Sequence, residues 1–237
     1  MEQIILGNIA IEVELKDIKN VHLSVYPPKG RVRIAAPKRM TIDTIRIYAI
    51  SKLSWIKKQQ QKFQAQVREA PREFLHKEGH YFLGNRYLLK VIEVDAAPSI
   101  TAKHKTIEMR VRAHSDVVKR QELMDEWYRG QLKQLIPPII AKYEKIIGVS
   151  VAEFGIKKMK TKWGTCNREA KRIWLNLELA KKPHQCIEYI VVHEMVHLLE
   201  RNHNEKFITF MNQFLPEWRE LRNELNRLPV SHRDWGY

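Results

Sequence analysis

Hydrophobic and polar residues alternate over much of the first forty residues, and this alternation predicts strands. Apolar side chains occupy every second position over 9–15 and over 21–25, and again at 32 and 34. A cluster of Pro and Gly at 27–30 interrupts the series. A period of two that is bounded by such residues is typical of a β-hairpin or a meander.

Helical spacing and further strands follow in the next seventy residues. Apolar residues recur at helical spacing over 42–56, after an N-cap at Thr41 or Asp43, and predict one helix. A second hairpin is expected over 79–94 with its turn at a Gly-Asn pair, and another strand over 106–111.

Beyond residue 115 the pattern is mostly helical. Ser115 or Asp116 caps a long predicted helix, which Pro137-Pro138 is expected to kink or restart and Gly148 to end. Four further elements are expected: strands over 153–160 and 172–179, a very apolar buried helix that includes 187–192, and a last helix that begins near 216.

These elements predict an α+β fold with a β-rich N-terminal half and a helical C-terminal half that includes a small sheet. We expect a β-rich region with one helix over 1–114 and a mainly helical region over 115–237, joined as one continuous compact unit. At 237 residues the chain is long enough to bury a substantial core without disulfides. No internal repeat is evident in the sequence.

Composition narrows the class of protein. The excess of 42 Lys and Arg over 27 Asp and Glu gives a net charge of +15, which suits an anionic partner such as nucleic acid or a nucleotide. The chain has no glycine-rich nucleotide-binding motif. Its two cysteines exclude a disulfide scaffold and a multi-cysteine zinc ribbon.

The N-terminal segment and the hydropathy profile predict where the protein works. The first residues, MEQIILGNIAIEVELKD, lack the basic start and long apolar run of a secretory signal. No stretch approaches the roughly 18 apolar residues that a bilayer-spanning helix needs. We therefore expect a cytoplasmic protein with no membrane association.

The apolar helix contains the motif that carries chemistry. It reads His193-Glu194-Met195-Val196-His197. Two histidines four residues apart lie on one face of a helix, so both imidazoles can bind one metal ion. Glu194 is rotated about 100° from His193. It is therefore poorly placed as a ligand and well placed to accept a proton from a water on the metal.

A catalytic zinc site needs three protein ligands and one open position. His203, six residues after His197, is the first candidate for the third ligand because it offers an imidazole nitrogen. Glu200 stands where metzincins have a turn-forming glycine, so the helix is expected to continue to about 201, with a left-handed Asn202 turning the chain back. Other candidates for the third ligand are Glu200, Glu205, Glu217 and Glu220.

Two segments resemble a known family, the YgjP-like metallopeptidase domain, which is related to the SprT-like and WLM zincins. They read KMKTKWGTCNREAKRIWLNLELAKKP and IEYIVVHEMVHLLERNHNEKF. The match is strong over about 157–220 and extends back over 21–40 and 116–147. The resemblance implies a zincin-like catalytic region in 115–237 and a zinc-dependent hydrolase, with His193, His197 and His203 as ligands and Glu194 as base.

The segment before the second strand of the small sheet predicts substrate contacts. In zincins an edge strand beside the active-site helix holds an extended substrate by main-chain pairing. This interpretation assigns substrate binding to Lys160, Lys162, Trp163 and Gly164. Lys157 and Lys158 extend the basic run, which would rim the cleft.

The two cysteines and three residues near the C-terminus are further candidates for chemistry. Cys166 and Cys186 are expected to pack in the core rather than to bind metal. The group that stabilises the transition state is not identified by the sequence, and His232, Arg233 and Tyr237 are candidates.

Three functions remain open at the level of sequence. A zinc peptidase would use Glu194 as base, and one zinc ion is expected per chain. A zinc hydrolase of an anionic substrate, such as a nucleoside triphosphate, would use the basic strands to neutralise phosphate. A nucleic-acid-binding module with structural zinc is less consistent with an open three-histidine site. A protease acting on DNA-bound protein would combine the first and third.

Overall fold

The computed structural model describes residues 2–26, 29–65, 72–159 and 162–229. It confirms a mixed α+β fold. Contacts divide these residues into two compact units, one formed by 2–65 with Pro229 and the other by 72–228. The division therefore precedes the expected boundary at 114/115. The reason is that buried side chains of the strands over 79–111 belong to the same hydrophobic core as the helices that follow.

The first unit consists of a four-stranded sheet and two helices. Its strands are β1 (Glu2–Leu6), β2 (Ile9–Lys16), β3 (His22–Tyr26) and β4 (Arg31–Pro37), in the order β1-β2-β4-β3. The central pair β2/β4 is parallel and the outer pairs are antiparallel. The single helix expected here is two helices, α1 (Ile42–Ser51) and α2 (Leu53–Ala65), because Lys52 leaves helical geometry at φ −102°, ψ 4°.

The second unit begins with a sheet of the same design. Its strands are β5 (Gly79–Phe82), β6 (Asn85–Glu93), β7 (Ser99–Lys103) and β8 (Thr106–Val111), in the order β5-β6-β8-β7. Here too the central pair is parallel and the outer pairs are antiparallel. Neither β7 nor this repetition of strand order was predicted from the sequence.

A long helix, α3 (Val117–Ile147), forms much of the core of the second unit. Asp116 caps its first turn by accepting a hydrogen bond from Lys119 N at 2.8 Å. Gly148 ends it in the left-handed conformation at φ +76°. The helix continues through Pro137 and Pro138, whose neighbours Ile136, Ile139 and Ile140 are buried.

The rest of the second unit positions the motif residues. A three-stranded sheet contains β9 (Glu153–Lys157), β10 (Gly164–Asn167) and β11 (Arg172–Asn176) in the order β10-β11-β9, so β10 is an edge strand. A 3-10 helix (Leu177–Lys181) replaces the expected end of the strand over 172–179. Three α-helices follow: α4 (His184–Val196), α5 (Glu205–Phe214) and α6 (Trp218–Arg227).

No helix among the described residues is both long enough and apolar enough to cross a membrane.

Candidate metal centre

Helix α4 carries the first half of the motif into the core. Val191, Val192, Met195 and Val196 are fully buried, so the helix is covered on several sides. Its apolar neighbours hold it rigidly, because packed interiors leave side chains few alternative positions. His193 and Glu194 therefore project from a fixed helix rather than from a loop.

The helix ends at Val196, about one turn earlier than expected, and His197 is its C-cap. Leu198 N and Leu199 N donate to the carbonyls of Met195 and Val196, both at 2.9 Å. These bonds between residues three apart tighten the chain into a turn, a common ending for a helix. Asn202 does not take the expected left-handed conformation, since no positive φ occurs there.

The turn over 197–200, called the site turn below, fixes the ring of His197. His197 Nδ1 lies 3.0 Å from the carbonyl oxygen of Glu200. A carbonyl only accepts hydrogen bonds, so Nδ1 carries the proton and Nε2 of the neutral ring keeps its lone pair. This is the usual way in which a second contact orients a metal-binding histidine.

His203 reaches the other two histidines from the start of α5. Asn204 caps that helix by accepting from Phe207 N at 3.0 Å, which fixes the chain direction immediately after His203. The buried Phe207 ring packs against all three imidazoles, with centroid distances of 5.0, 4.7 and 4.7 Å. No role for Phe207 was predicted from the sequence, although it ends the segment HNEKF at 203–207 that resembles the family.

The three histidines bring their nitrogens together. One ligand atom from each of His193, His197 and His203 lies within 4.8 Å of the others. The Nε2 atoms of His193 and His203 are 3.0 Å apart. Two nitrogens on a tetrahedral zinc at 2.0–2.1 Å would be separated by about 3.3 Å. The donor type and the spacing therefore fit a zinc ion.

The glutamates considered as third ligands are not part of this arrangement. Within the described ranges, the three histidines form the sole group of three or more potential ligands that could hold a metal ion. The group therefore contains none of the alternatives Glu200, Glu205, Glu217 and Glu220. As ligands, the three histidines remain a proposal developed below.

Metal ligation requires neutral imidazoles, and burial disfavours the charged form of His193 and His197. Burial, together with the neighbouring His197 and His203, lowers the pKa of His193 to about 3. Burial also lowers the pKa of His197, against the hydrogen bond to Glu200 that raises it.

Glu194 lies beside this cluster in a nearly closed environment. Its side chain is 5% exposed, and burial raises the pKa of its carboxyl group to about 8, while the charge of Lys162 acts in the opposite direction. Gly164 packs directly against it: a Cβ at residue 164 would lie 2.6 Å from both Cγ and Oε1 of Glu194. A glycine is therefore required where β10 passes the carboxylate.

The residues that were predicted to bind substrate do not share one environment in the structure. Lys160 lies outside the described residues. Lys162 is exposed and acts electrostatically on Glu194. The ring of Trp163 lies 5.5 Å below the Nζ of the buried Lys182. Gly164 is the first residue of the edge strand β10 and touches Glu194.

The basic run does not converge on the site as a unit. Lys157 lies over the ring of Trp174, with Nζ 4.7 Å from the centroid, and Lys158 forms an ion pair with Asp125. Lys162 is thus the described member of the run whose charge reaches Glu194. The candidates His232, Arg233 and Tyr237 for transition-state stabilisation lie outside the described residues.

Asn176 organises the segment that leads to β10, and sequence reasoning gave it no function. This buried side chain donates to the carbonyls of Met159 and Lys162 at 3.0 and 2.8 Å, and it accepts from Met159 N and Glu178 N. The available signal is the sequence Leu-Asn-Leu-Glu-Leu at 175–179, in which a polar residue interrupts apolar neighbours. Satisfying a buried amide this completely fixes the backbone on both sides of it.

The two cysteines have environments that disfavour reactivity. Burial raises the pKa of Cys166 to about 11, and Glu194 contributes to the shift. Burial raises the pKa of Cys186 to about 12. Neither thiol is therefore ionised near neutral pH. Neither belongs to the group of potential metal ligands found among the described residues.

Two solved structures and one family model are similar to this chain. The metallopeptidase zymogen of Pyrococcus abyssi abylysin is 20% identical, with a TM-score of 0.35, and the match covers 39% of this chain and 97% of that one. The metallopeptidase zymogen of Methanocaldococcus jannaschii jannalysin is 23% identical, with a TM-score of 0.33, and the match covers 40% and 92%. No curated protein is significantly similar to the chain. The family model of the YgjP-like metallopeptidase domain matches residues 19–228, and the chain therefore belongs to this family.

Proposed function

We propose that the protein is a zinc-dependent peptidase in which Glu194 is the general base. The observation that carries this proposal is the convergence of three imidazoles beside the buried side chain of Glu194. His193, His197 and His203 would hold the ion. Membership of a metallopeptidase family supports metal-dependent peptide hydrolysis in general.

In the proposed hydrolysis, the metal ion and Glu194 have different roles. A bound zinc ion supplies Lewis acidity, which polarises a carbonyl and lowers the pKa of water to about 7. Glu194 takes the proton from the attacking water and passes it to the leaving amine. Burial raises the affinity of Glu194 for that proton, and Lys162 limits the effect.

The edge strand β10 supports a binding mode for the peptide. An edge strand offers unpaired backbone groups to which an extended peptide can add as a further strand. β10 begins at Gly164, against Glu194, so a peptide paired with it would pass next to the base. In this proposal Gly164 and Trp163 contribute to the substrate groove, and Lys162 to its basic margin.

The decisive experiment compares the wild type with Glu194→Gln. We expect the variant to retain one zinc ion per chain and to lose peptidase activity by about 10²- to 10⁴-fold, because glutamine keeps the shape but cannot hold the proton. Zinc content by mass spectrometry and hydrolysis of casein and a peptide library are the measurements.

Glu188→Gln is the matched control for that variant. Glu188 lies on the same helix and pairs with Lys142 at 2.7 Å, so this change leaves the histidine cluster untouched. Wild-type hydrolysis by Glu194→Gln would refute the assignment of the base. Wild-type protein that binds no zinc would refute the zinc site.

The non-peptide alternative is examined by adding nucleoside triphosphates to the same panel. It has less support from the structure, since Lys157 and Lys158 are engaged by Trp174 and Asp125. Hydrolysis of a triphosphate that depends on Glu194, with no cleavage of peptides, would replace the peptidase proposal by this alternative. A DNA-dependent gain in casein cleavage would favour a protease of DNA-bound proteins.

A further inference from the structure

Arg168 makes a two-pronged contact with the site turn. Its Nε and one Nη atom donate to the carbonyls of Leu198 and Leu199, both at 3.2 Å. The planar guanidinium presents parallel donors in a fixed geometry, so it can hold two successive carbonyls that a lysine could not hold together. A cation is also favourable near the C-terminus of a helix, where the backbone dipole is negative.

The backbone of Arg168 is itself held in place. Arg168 follows β10 in the tight connection to β11, where Lys171 N donates to its carbonyl at 3.2 Å. Asn167 Oδ1 accepts from Ala170 N at 3.0 Å across the same connection. Lys171 has a positive φ of 45°, which closes the turn. The guanidinium therefore projects from a well-defined hairpin.

The next bond in the series joins the site turn to a proposed ligand. The turn that Arg168 holds ends at Glu200, whose carbonyl accepts from His197 Nδ1 at 3.0 Å. A displaced carbonyl would leave the ring of His197 free to rotate or to move its proton to Nε2. In either case the Nε2 lone pair would no longer face the other two histidines.

We infer that Arg168 is a positioning residue for the metal centre: by holding the carbonyls of Leu198 and Leu199, it orders the site turn and sets the ring orientation and tautomer of His197. The inference rests on the proposed zinc site. Gly164, at the other end of β10, packs against Glu194. The two ends of this strand therefore contact both parts of the motif: one end packs against the proposed base, and the residue after the other end holds the turn that orients the proposed ligand His197.

Zinc affinity is the first readout, measured by chelator competition on Arg168→Ala, Arg168→Lys and wild type. Loss of a contact that orients a ligand typically costs 10- to 100-fold in metal affinity. We expect that loss in both variants, because lysine keeps the charge but not the fork. Arg172→Ala is the matched control, since Arg172 lies in the same hairpin and pairs with Glu153 at 3.2 Å; its affinity should equal that of the wild type.

The second readout is the tautomer of His197 in metal-free protein at pH 8, from long-range ¹H–¹⁵N spectra. The wild type should show the Nδ1-protonated form, and both Arg168 variants should show a mixture of tautomers. Amide exchange in α3 checks that the unit remains folded. An unchanged tautomer, or zinc affinities equal to that of Arg172→Ala, would overturn the inference. This test requires no peptidase activity, so failure of the proposed function would appear separately, in the wild type.

Discussion

The sheet of residues 2–37 and the sheet of residues 79–111 place their strands in the same order and the same directions. Each has a Leu-Gly-Asn turn between its first two strands, with Gly7 at φ +62° and Gly84 at φ +79°. The surroundings of the two turns differ. A Cβ at residue 7 would meet no atom within 4 Å, whereas one at residue 84 would lie 2.7 Å from Cγ of Pro183.

The second turn is attached to the segment that leads into α4. Leu83 N and Gly84 N donate to the carbonyls of Ala180 and Lys181 at 2.9 and 3.1 Å, and α4 begins three residues after Lys181. The first sheet packs with α1 and α2 into a core of its own. The same arrangement of strands thus closes a separate core in one unit and supports the motif helix in the other.

The largest effect should come from opening a cavity in each sheet. Ile11 on β2 and Leu89 on β6 are both fully buried, and truncation to alanine at such sites costs about 2–5 kcal/mol. We expect Ile11→Ala to lower the stability of the first unit and Leu89→Ala that of the second. Hydrogen exchange resolved by peptide measures both, and zinc retention should fall only in Leu89→Ala. Equal loss of zinc from both variants would show that the two cores do not act separately.

An intermediate effect is expected from His80, the buried histidine of β5. The corresponding position in β1 is occupied by Gln3, which is exposed. Burial, with the charge of Arg72, lowers the pKa of His80 to about 4. Between pH 6.5 and 4 the unfolded chain therefore binds a proton that the folded chain does not, so stability falls as the pH falls.

His80→Gln should remove this part of the acid sensitivity of the second unit. The effect is on the order of 2–3 kcal/mol between pH 7 and pH 4. Urea denaturation of metal-free protein at several pH values measures it, with the first unit as the internal reference. If wild type and variant lose the same stability on acidification, His80 does not contribute.

The smallest effect should come from the two glycine turns. Alanine in a left-handed conformation costs about 1 kcal/mol, so Gly7→Ala should lower the stability of the first unit by about that amount. Gly84→Ala adds the clash with Pro183 and should cost about 2 kcal/mol in the second unit. Thermal denaturation with exchange protection in α4 compares the two, and a larger loss in Gly7→Ala would contradict the difference between the turns.

Local signals explain which parts of the fold could be predicted. The bounds of α3 follow from the cap at Asp116 and the left-handed Gly148, and β8 occupies the predicted span 106–111. Where a local signal was lacking, the prediction failed. The short β7 has alternating exposed and half-buried residues with few apolar side chains, and the break at Lys52 has no proline or glycine to mark it.

The sequence by itself determined the chemistry that is available: His193, Glu194 and His197 at helical spacing, and His203 close behind them. Periodicity and capping act within about four residues, so they are legible in a linear pattern. Tertiary structure decided which groups meet. The approach of Gly164 to Glu194, the hold of Arg168 on the site turn and the packing of Phe207 under the imidazoles join residues from separate elements. Such contacts depend on how distant segments pack, and the local pattern of residues does not specify that packing.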